Sequence, residues 1–329
     1  MVGKCWLSSM LTIFLLGWSA CSTGKWELVS TDHISDGVPI ESLTFSKDGQ
    51  GWSLTPGELL RFTKGNWTTV LSNQNNERVF YSFVFSSDLH GIVVGGQKKN
   101  GLYTVLILQT TDGGVTWQER PTDVKGDPDI HNMSLLQSIS LCGTSGWAVG
   151  QNLILHTSDD GQTWQRQRWN TGKEGVDTRL GTVTCTSSLR AWAAGADGLV
   201  LRTIDGGNSW TQQDVGTTDI LMRVRFFGDT GWIVGGTHGK AVILNTRDHG
   251  ETWQAQQTDL TKGLLDVFFT GSKGWLVGET GTILKTEDGG LTWTRQESPT
   301  VENLTCIFFL SPNKGWAGGD KRTLLRFSD

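Results

Sequence analysis

The feature that most constrains this chain is an eight-residue box that occurs five times: "TTDGGVTW" (110–117), "TSDDGQTW" (157–164), "TIDGGNSW" (203–210), "TRDHGETW" (246–253) and "TEDGGLTW" (286–293). An active site has to occur once, whereas a construction unit has to occur at a fixed period. A second signal falls between the boxes: "GWSL" at 51, "GIVVGG" at 91, "GWAVG" at 146, "AWAAG" at 191, "GWIVGG" at 231, "GWLVGE" at 274 and "GWAGGD" at 315. Five of the six intervals between these seven copies run from 40 to 45 residues and one is 55. That is the period of a four-stranded propeller blade.

The unit around residue 274 shows the layout. "LLDVFF" (264–269) suits a buried inner strand, "GWLVGE" a second strand and "GTILKT" (281–286) a third, with the box as the hairpin into "TWTRQES". In the box, Asp accepts backbone N–H groups, Gly permits positive φ and Trp closes over the apolar layer. The structural box residues are therefore Asp112 and Trp117, Asp159 and Trp164, Asp205 and Trp210, Asp248 and Trp253, and Asp288 and Trp293. Of the 16 Trp, only Trp6, Trp18, Trp26 and Trp169 lie outside the box and second-strand frames. The chain stops at "TLLRFSD", where a box should continue, and "STGKWELVS" near the start supplies the missing Gly24 and Trp26. The expected fold is an all-β, seven-bladed β-propeller of four-stranded blades, closed by the N-terminal strand as the outer strand of the last blade. Blade 1, "FTKGNWTTV", lacks the box Asp and should turn more tightly, and blade 2 carries Ile92 in place of Trp.

The first residues read as a targeting segment, with Lys4, an apolar stretch from Cys5 to Trp18 and small residues ending at Cys21. The apolar stretch is short for a membrane span. Lipidation of Cys21, ordinary cleavage and an uncleaved anchor all remain open, and each places the protein outside the cytoplasm. The domain reading is a signal at 1–21 and a single propeller at 22–329. Cys142, Cys185 and Cys306 are an odd set without CxxC spacing in apolar strand patterns, which reads as small buried hydrophobes rather than a disulfide framework or zinc site.

Box turns alternating with "GWxVG" strands over the whole mature chain resemble the photosystem II assembly and stability factors of cyanobacteria and plastids. The resemblance implies a seven-bladed lumenal propeller without enzymatic activity that binds a newly made membrane protein, with a lipoprotein signal in cyanobacterial members. It also implies an Arg-rich patch across neighbouring blades. The positions here are Arg179, Arg223 and Arg225, with Arg166 and Arg168 nearby, and the bland alternative is that they are solvated strand ends. The expectation that follows is a monomer tethered to the membrane and bound to a protein partner, either a photosystem II subunit or another membrane protein.

Other chemistry is weaker. A net charge of -5 and a pI near 5.7 argue against duplex nucleic acid. Similar boxes occur in sialidases, which need an Arg triad and a Tyr nucleophile, but Tyr81 and Tyr103 are the only tyrosines and both sit in strand patterns. Xyloglucan-cleaving relatives resemble paired propellers, and this chain suffices for one. Asp127, Asp129 and His131 in "GDPDIH" read as a solvated loop rather than a metal site, and no cofactor is expected. A glycan-binding or hydrolytic propeller remains the competing class, with Glu279 and Asp320 the nearest carboxylates to a central funnel. Trp169 fits either an interface anchor or a cover over the rim of blade 4. Function should lie in what is not repeated, above all the long connections at 119–138 and 166–181.

Overall fold

In the computed structural model the described residues are 24–29, 31, 37–46, 49–73, 77–99, 101–124, 135–169, 178–237 and 239–328. Cys21 and the acidic loop with Asp127, Asp129 and His131 lie outside them. These residues form seven four-stranded antiparallel sheets. Six sheets are consecutive in the chain. The seventh joins Leu304–Ser311, Lys314–Gly319 and Leu324–Ser328 to the N-terminal strand Lys25–Leu28. Trp26 faces Phe327 in that ladder and is 4% exposed, so the first strand closes the ring as the sequence requires.

The second-strand motif follows from packing at the seams between blades. Its Trp packs on the Phe near the end of the innermost strand of the next blade. Four pairs lie flat, with ring centroids 3.9 Å apart for Trp316 and Phe45, 4.1 Å for Trp52 and Phe85, 4.9 Å for Trp232 and Phe269 and 3.6 Å for Trp275 and Phe309. The fifth, Trp192 and Phe226 at 4.3 Å, is tilted by 33°. The first Gly lies beneath the Phe of its own blade, and a Cβ at Gly51, Gly91, Gly231, Gly274 or Gly315 would overlap that ring. The final Gly faces a bulge. The innermost ladders of blades 2 to 7 all shift register near their start, which presses a carbonyl of the incoming chain onto Gly95, Gly150, Gly195, Gly235, Gly278 or Gly319. Blade 1 has Thr55 there and an innermost ladder without the shift.

The box geometry is the same in all five copies. In the last, the Thr286 hydroxyl donates to Asp288 Oδ1 at 2.7 Å and accepts the Gly290 N–H at 2.9 Å. The Thr292 N–H and hydroxyl donate to the two carboxylate oxygens at 3.0 and 2.6 Å. Blade 1 instead makes the tight turn foreseen, joining Glu58–Thr63 to Asn66–Ser72 through Lys64 and Gly65, both at positive φ. A clip not visible in the motif links successive blades. Gln256 accepts from the Trp293 indole at 3.0 Å and donates to the Gly290 carbonyl at 2.7 Å. Gln213 does the same to Trp253 and Gly250, and Gln167 to Trp210 and Gly206.

The cysteines correct the sequence reading. Cys142 and Cys185 form a disulfide with S–S 2.16 Å and Cα–Cα 6.1 Å, while Cys306 is the buried free thiol expected. Their separation of 43 residues is one blade repeat, so the two end the innermost strands of adjacent blades, Leu136–Cys142 and Leu180–Cys185.

Antiparallel alternation assigns two faces. The boxes and the turns from first to second strand lie on one, here the box face. The connections between blades and the turns from second to third strand lie on the other, the loop face. Gly24 enters the outer strand of blade 7 from the box face, whereas the chain enters the innermost strands of blades 3 and 4, Leu136–Cys142 and Leu180–Cys185, from the loop face.

Candidate partner-binding site

The innermost strands line a central channel. Near the loop-face end of these strands, at equivalent register positions, side chains line the mouth of the channel, and these include Glu41, Tyr81, Gln137, Met222, Leu265 and Thr305. They surround a cavity of about 540 Å³ that Arg179 and Arg223 also line. Ile220 and Met222 are 42% and 40% exposed beside it, so the mouth joins cationic groups to an apolar wall. Burial raises the Glu41 carboxyl above its ordinary value, with Arg223 opposing. Burial also raises the Tyr81 hydroxyl, and Glu41 adds to the rise.

The third position carries links between blades. The hydroxyls of Ser138 and Thr182 accept the N–H groups of Val183 and Val224 on the following blades, both at 3.2 Å. Asp266 accepts the Ile307 N–H at 3.0 Å in the same way. Blade 5 has Arg223 at this position, which has no acceptor to offer, so the Val267 N–H turns to Asp266 Oδ1 at 2.8 Å. Arg225 donates to Asp266 Oδ2 at 2.9 Å. Arg223 Nε lies 3.2 Å from Oδ1, within ion-pair range although its N–H is off line for a hydrogen bond. One fully buried carboxylate thus serves two guanidinium groups. Removing Asp266 would strand both.

The five candidate arginines do not form one patch. Arg179, which is exposed, shares the loop-face cavity with Arg223. Arg225 reaches the other end of the channel, near Phe268 and Phe308. Arg166 and Arg168 lie on the outer wall in a cleft with His156 and Asn208. Trp169 is half-buried against the core between blades 3 and 4, the rim-covering position of the two considered. Glu279 and Asp320 act in loop-face turns, where Glu279 accepts the Gly263 N–H at 3.1 Å and Asp320 accepts from the Asn303 amide at 2.9 Å. Sequence reasoning missed Asp266, Glu41 and Tyr81 as neighbours of the arginines. The available signal was their shared register on successive innermost strands. Among the described residues no three His, Cys, Asp or Glu gather as a metal site.

Seven blades and box hairpins define a repeat β-propeller of the Asp-box type. The family model described as "Photosynthesis system II assembly factor YCF48" matches residues 63–175, 165–260 and 255–328, and the chain belongs to that family. It is 30% identical over 145 residues to the photosystem II assembly lipoprotein Ycf48 of a Synechococcus species, a match covering 43% of this chain and 38% of the relative. The chain thus matches well under half the length of that curated relative. A second lipoprotein of this name, from Prochlorococcus marinus, is 36% identical over 70 residues, covering 21% of this chain and 18% of the relative. Among solved structures, YCF48 bound to a D1 peptide has a TM-score of 0.68 at 22% identity, covering 92% of this chain and 95% of that one. A virginiamycin B lyase from Staphylococcus aureus has a TM-score of 0.71 at 14% identity, covering 93% and 99%. At such identities the likeness concerns the fold.

Proposed function

We propose that this protein is a non-enzymatic, extracytoplasmic assembly scaffold that holds a segment of a photosystem II membrane protein against its loop face. The observation that carries this reading is the convergence of Arg179 and Arg223 on an apolar-walled cavity at the loop-face mouth of the channel. The disulfide supports an oxidising compartment. Processing after residue 20 and lipidation of Cys21, three residues before Gly24, would bring the membrane to the box face and leave the loop face open. The names of the relatives as assembly lipoproteins and the D1 peptide held by one of them support the same reading. The test is capture from the organism's own membranes by the mature protein, beside Arg179→Ala and a variant with both long connections shortened. Recovery of photosystem II proteins, lost in the variants, is expected. Equal recovery by all three would remove the loop face from the proposal.

A second reading has one observation in its favour: Tyr81, Glu41, Arg179 and Arg223 share a cavity, groups that a carboxylated sugar would also engage. The raised Tyr81 hydroxyl is a poor nucleophile, and Glu41 is the one carboxylate lining that cavity. Release of a fluorogenic aglycone from a sialoside, abolished by Tyr81→Phe, would favour this reading over the scaffold.

A further inference from the structure

Five of the seven seams are closed by a Trp stacked on a Phe. The seam between blades 3 and 4 is built differently. Cys185 stands where the Phe would end the innermost strand, and Ala191 replaces the Gly that lies beneath the ring elsewhere. Trp147 contacts His156, with ring centroids 4.8 Å apart. The Cys142–Cys185 bond crosses this seam, so a covalent link occupies the place of the aromatic pair.

The bond is also reachable. Both cysteines are half-buried at the box-face end of their strands, beside the exposed Gly143, Thr144 and Thr186. The Ser140 hydroxyl oxygen accepts the Cys185 N–H at 3.1 Å and lies 3.4 Å from Cys185 Sγ, so its own hydrogen is available to that sulfur. Cys306, 2% exposed and with its thiol pushed up to about 12 mainly by burial, is not a competing nucleophile. At the other end of the same seam Gln151 bridges Arg179, and Asn152 donates its N–H to the Thr178 carbonyl at 2.8 Å.

We propose that Cys142–Cys185 is a thiol–disulfide exchange site for a dithiol protein, and that opening it loosens the blade 3–4 seam while the ring stays closed. A thiolate of the dithiol attacks Cys142 Sγ. The disulfide breaks with its electron pair on Cys185 Sγ, where the Ser140 hydroxyl stabilises the leaving thiolate before it takes a proton from water. The second thiolate of the dithiol then attacks its own sulfur in the mixed disulfide and releases Cys142, which is protonated in turn. Two electrons pass to the protein, and the partner departs as a disulfide. Because Arg179 bridges the far end of the seam, the effect reaches the loop-face mouth. This inference does not depend on which partner that mouth binds.

The experiment treats the intact protein with dithiothreitol under native conditions, traps thiols by alkylation and follows amide hydrogen exchange by mass spectrometry. Relative to the untreated protein, two newly labelled thiols, Cys142 and Cys185, are expected while Cys306 stays unlabelled. Faster exchange should be confined to 136–150 and 178–195. Ser140→Ala should slow reduction at least about threefold, the leaving thiolate having lost its donor, although the same change removes the acceptor of the Cys185 N–H and a merely loosened seam would instead speed reduction. Rebuilding the aromatic pair with Cys142→Ser, Cys185→Phe and Ala191→Gly, the last to make room for the ring, should restore slow exchange without the bond. Thiols that appear only after global unfolding would overturn the exchange site, and a reduced protein with unaltered exchange at the seam would overturn the clasp.

Discussion

At the scale of single residues, the boxes show why an acidic side chain can be structural. Hydrogen bonds from the side chain and N–H of Thr116 and from Thr110 hold the Asp112 carboxyl down to about 2. Asp159 also lies at about 2, because burial raises it but the donors at Thr163 and Thr157 outweigh that effect. Asp205, Asp248 and Asp288 are lowered by the same kind of donor set. A carboxylate with a depressed folded-state pKa stabilises above its unfolded value and loses that contribution as pH falls through the folded value. The boxes should therefore hold at pH 4 and fail toward pH 2. Asp112→Ala should lower the melting temperature by about 2 °C at pH 7, and the gap from the parent should close as acid titrations approach pH 2. A gap that persisted unchanged at pH 2 would show that the Ala variant suffers from something other than the lost ionised acceptor. The Gln clips make a separate prediction. Gln256→Ala leaves the Gly290 carbonyl and the Trp293 indole without partners, a loss of about 1–3 kcal/mol readable by urea unfolding, whereas Gln257→Ala alongside should be near neutral.

At the scale of the blade, the spacing of Gly and Trp made strand order and seam positions legible, because each motif residue answers to a contact repeated at every seam. Blade 1 shows how literal this is: it lacks the box Asp and the final Gly, and its innermost ladder runs without the bulge, while a tight two-residue turn replaces the box. What was not legible depended on offsets of one or two residues. Cys142 and Cys185 are one repeat apart but at positions shifted by one, and the bond follows only once adjacent strands have a register. Arg223 and Arg225 look like neighbours in sequence, yet they approach Asp266 from opposite ends of the channel. The stacked pairs should behave as units. Trp232→Ala and Phe269→Ala should each cost about 3–5 kcal/mol. The double variant should cost less than their sum by about 0.5–1.5 kcal/mol. Strict additivity in denaturant titrations would mean that the rings contribute only as independent volume.

At the scale of the whole molecule, the ring stands on a bond between chain ends. Four residue pairs join Lys25–Leu28 to Leu325–Ser328, and Trp26 packs edge-on against Phe309 at 5.9 Å and against Phe327 at 5.1 Å. Without this strand the blade beside the chain terminus would present an open edge and an uncovered Phe327. A protein beginning after Leu28 should therefore unfold at lower temperature, lose the single cooperative transition and associate through the exposed edge. Trp26→Ala keeps the backbone ladder and removes only the indole, so it should lose about 3–5 kcal/mol while remaining monomeric. Thermal unfolding combined with light scattering separates the two cases. If the truncated protein were as stable and as monomeric as the parent, closure would reside in the seam between the last and first blades, where Trp316 packs on Phe45 and the Ile40 N–H donates to the Gly319 carbonyl at 3.0 Å, and not in the N-terminal strand.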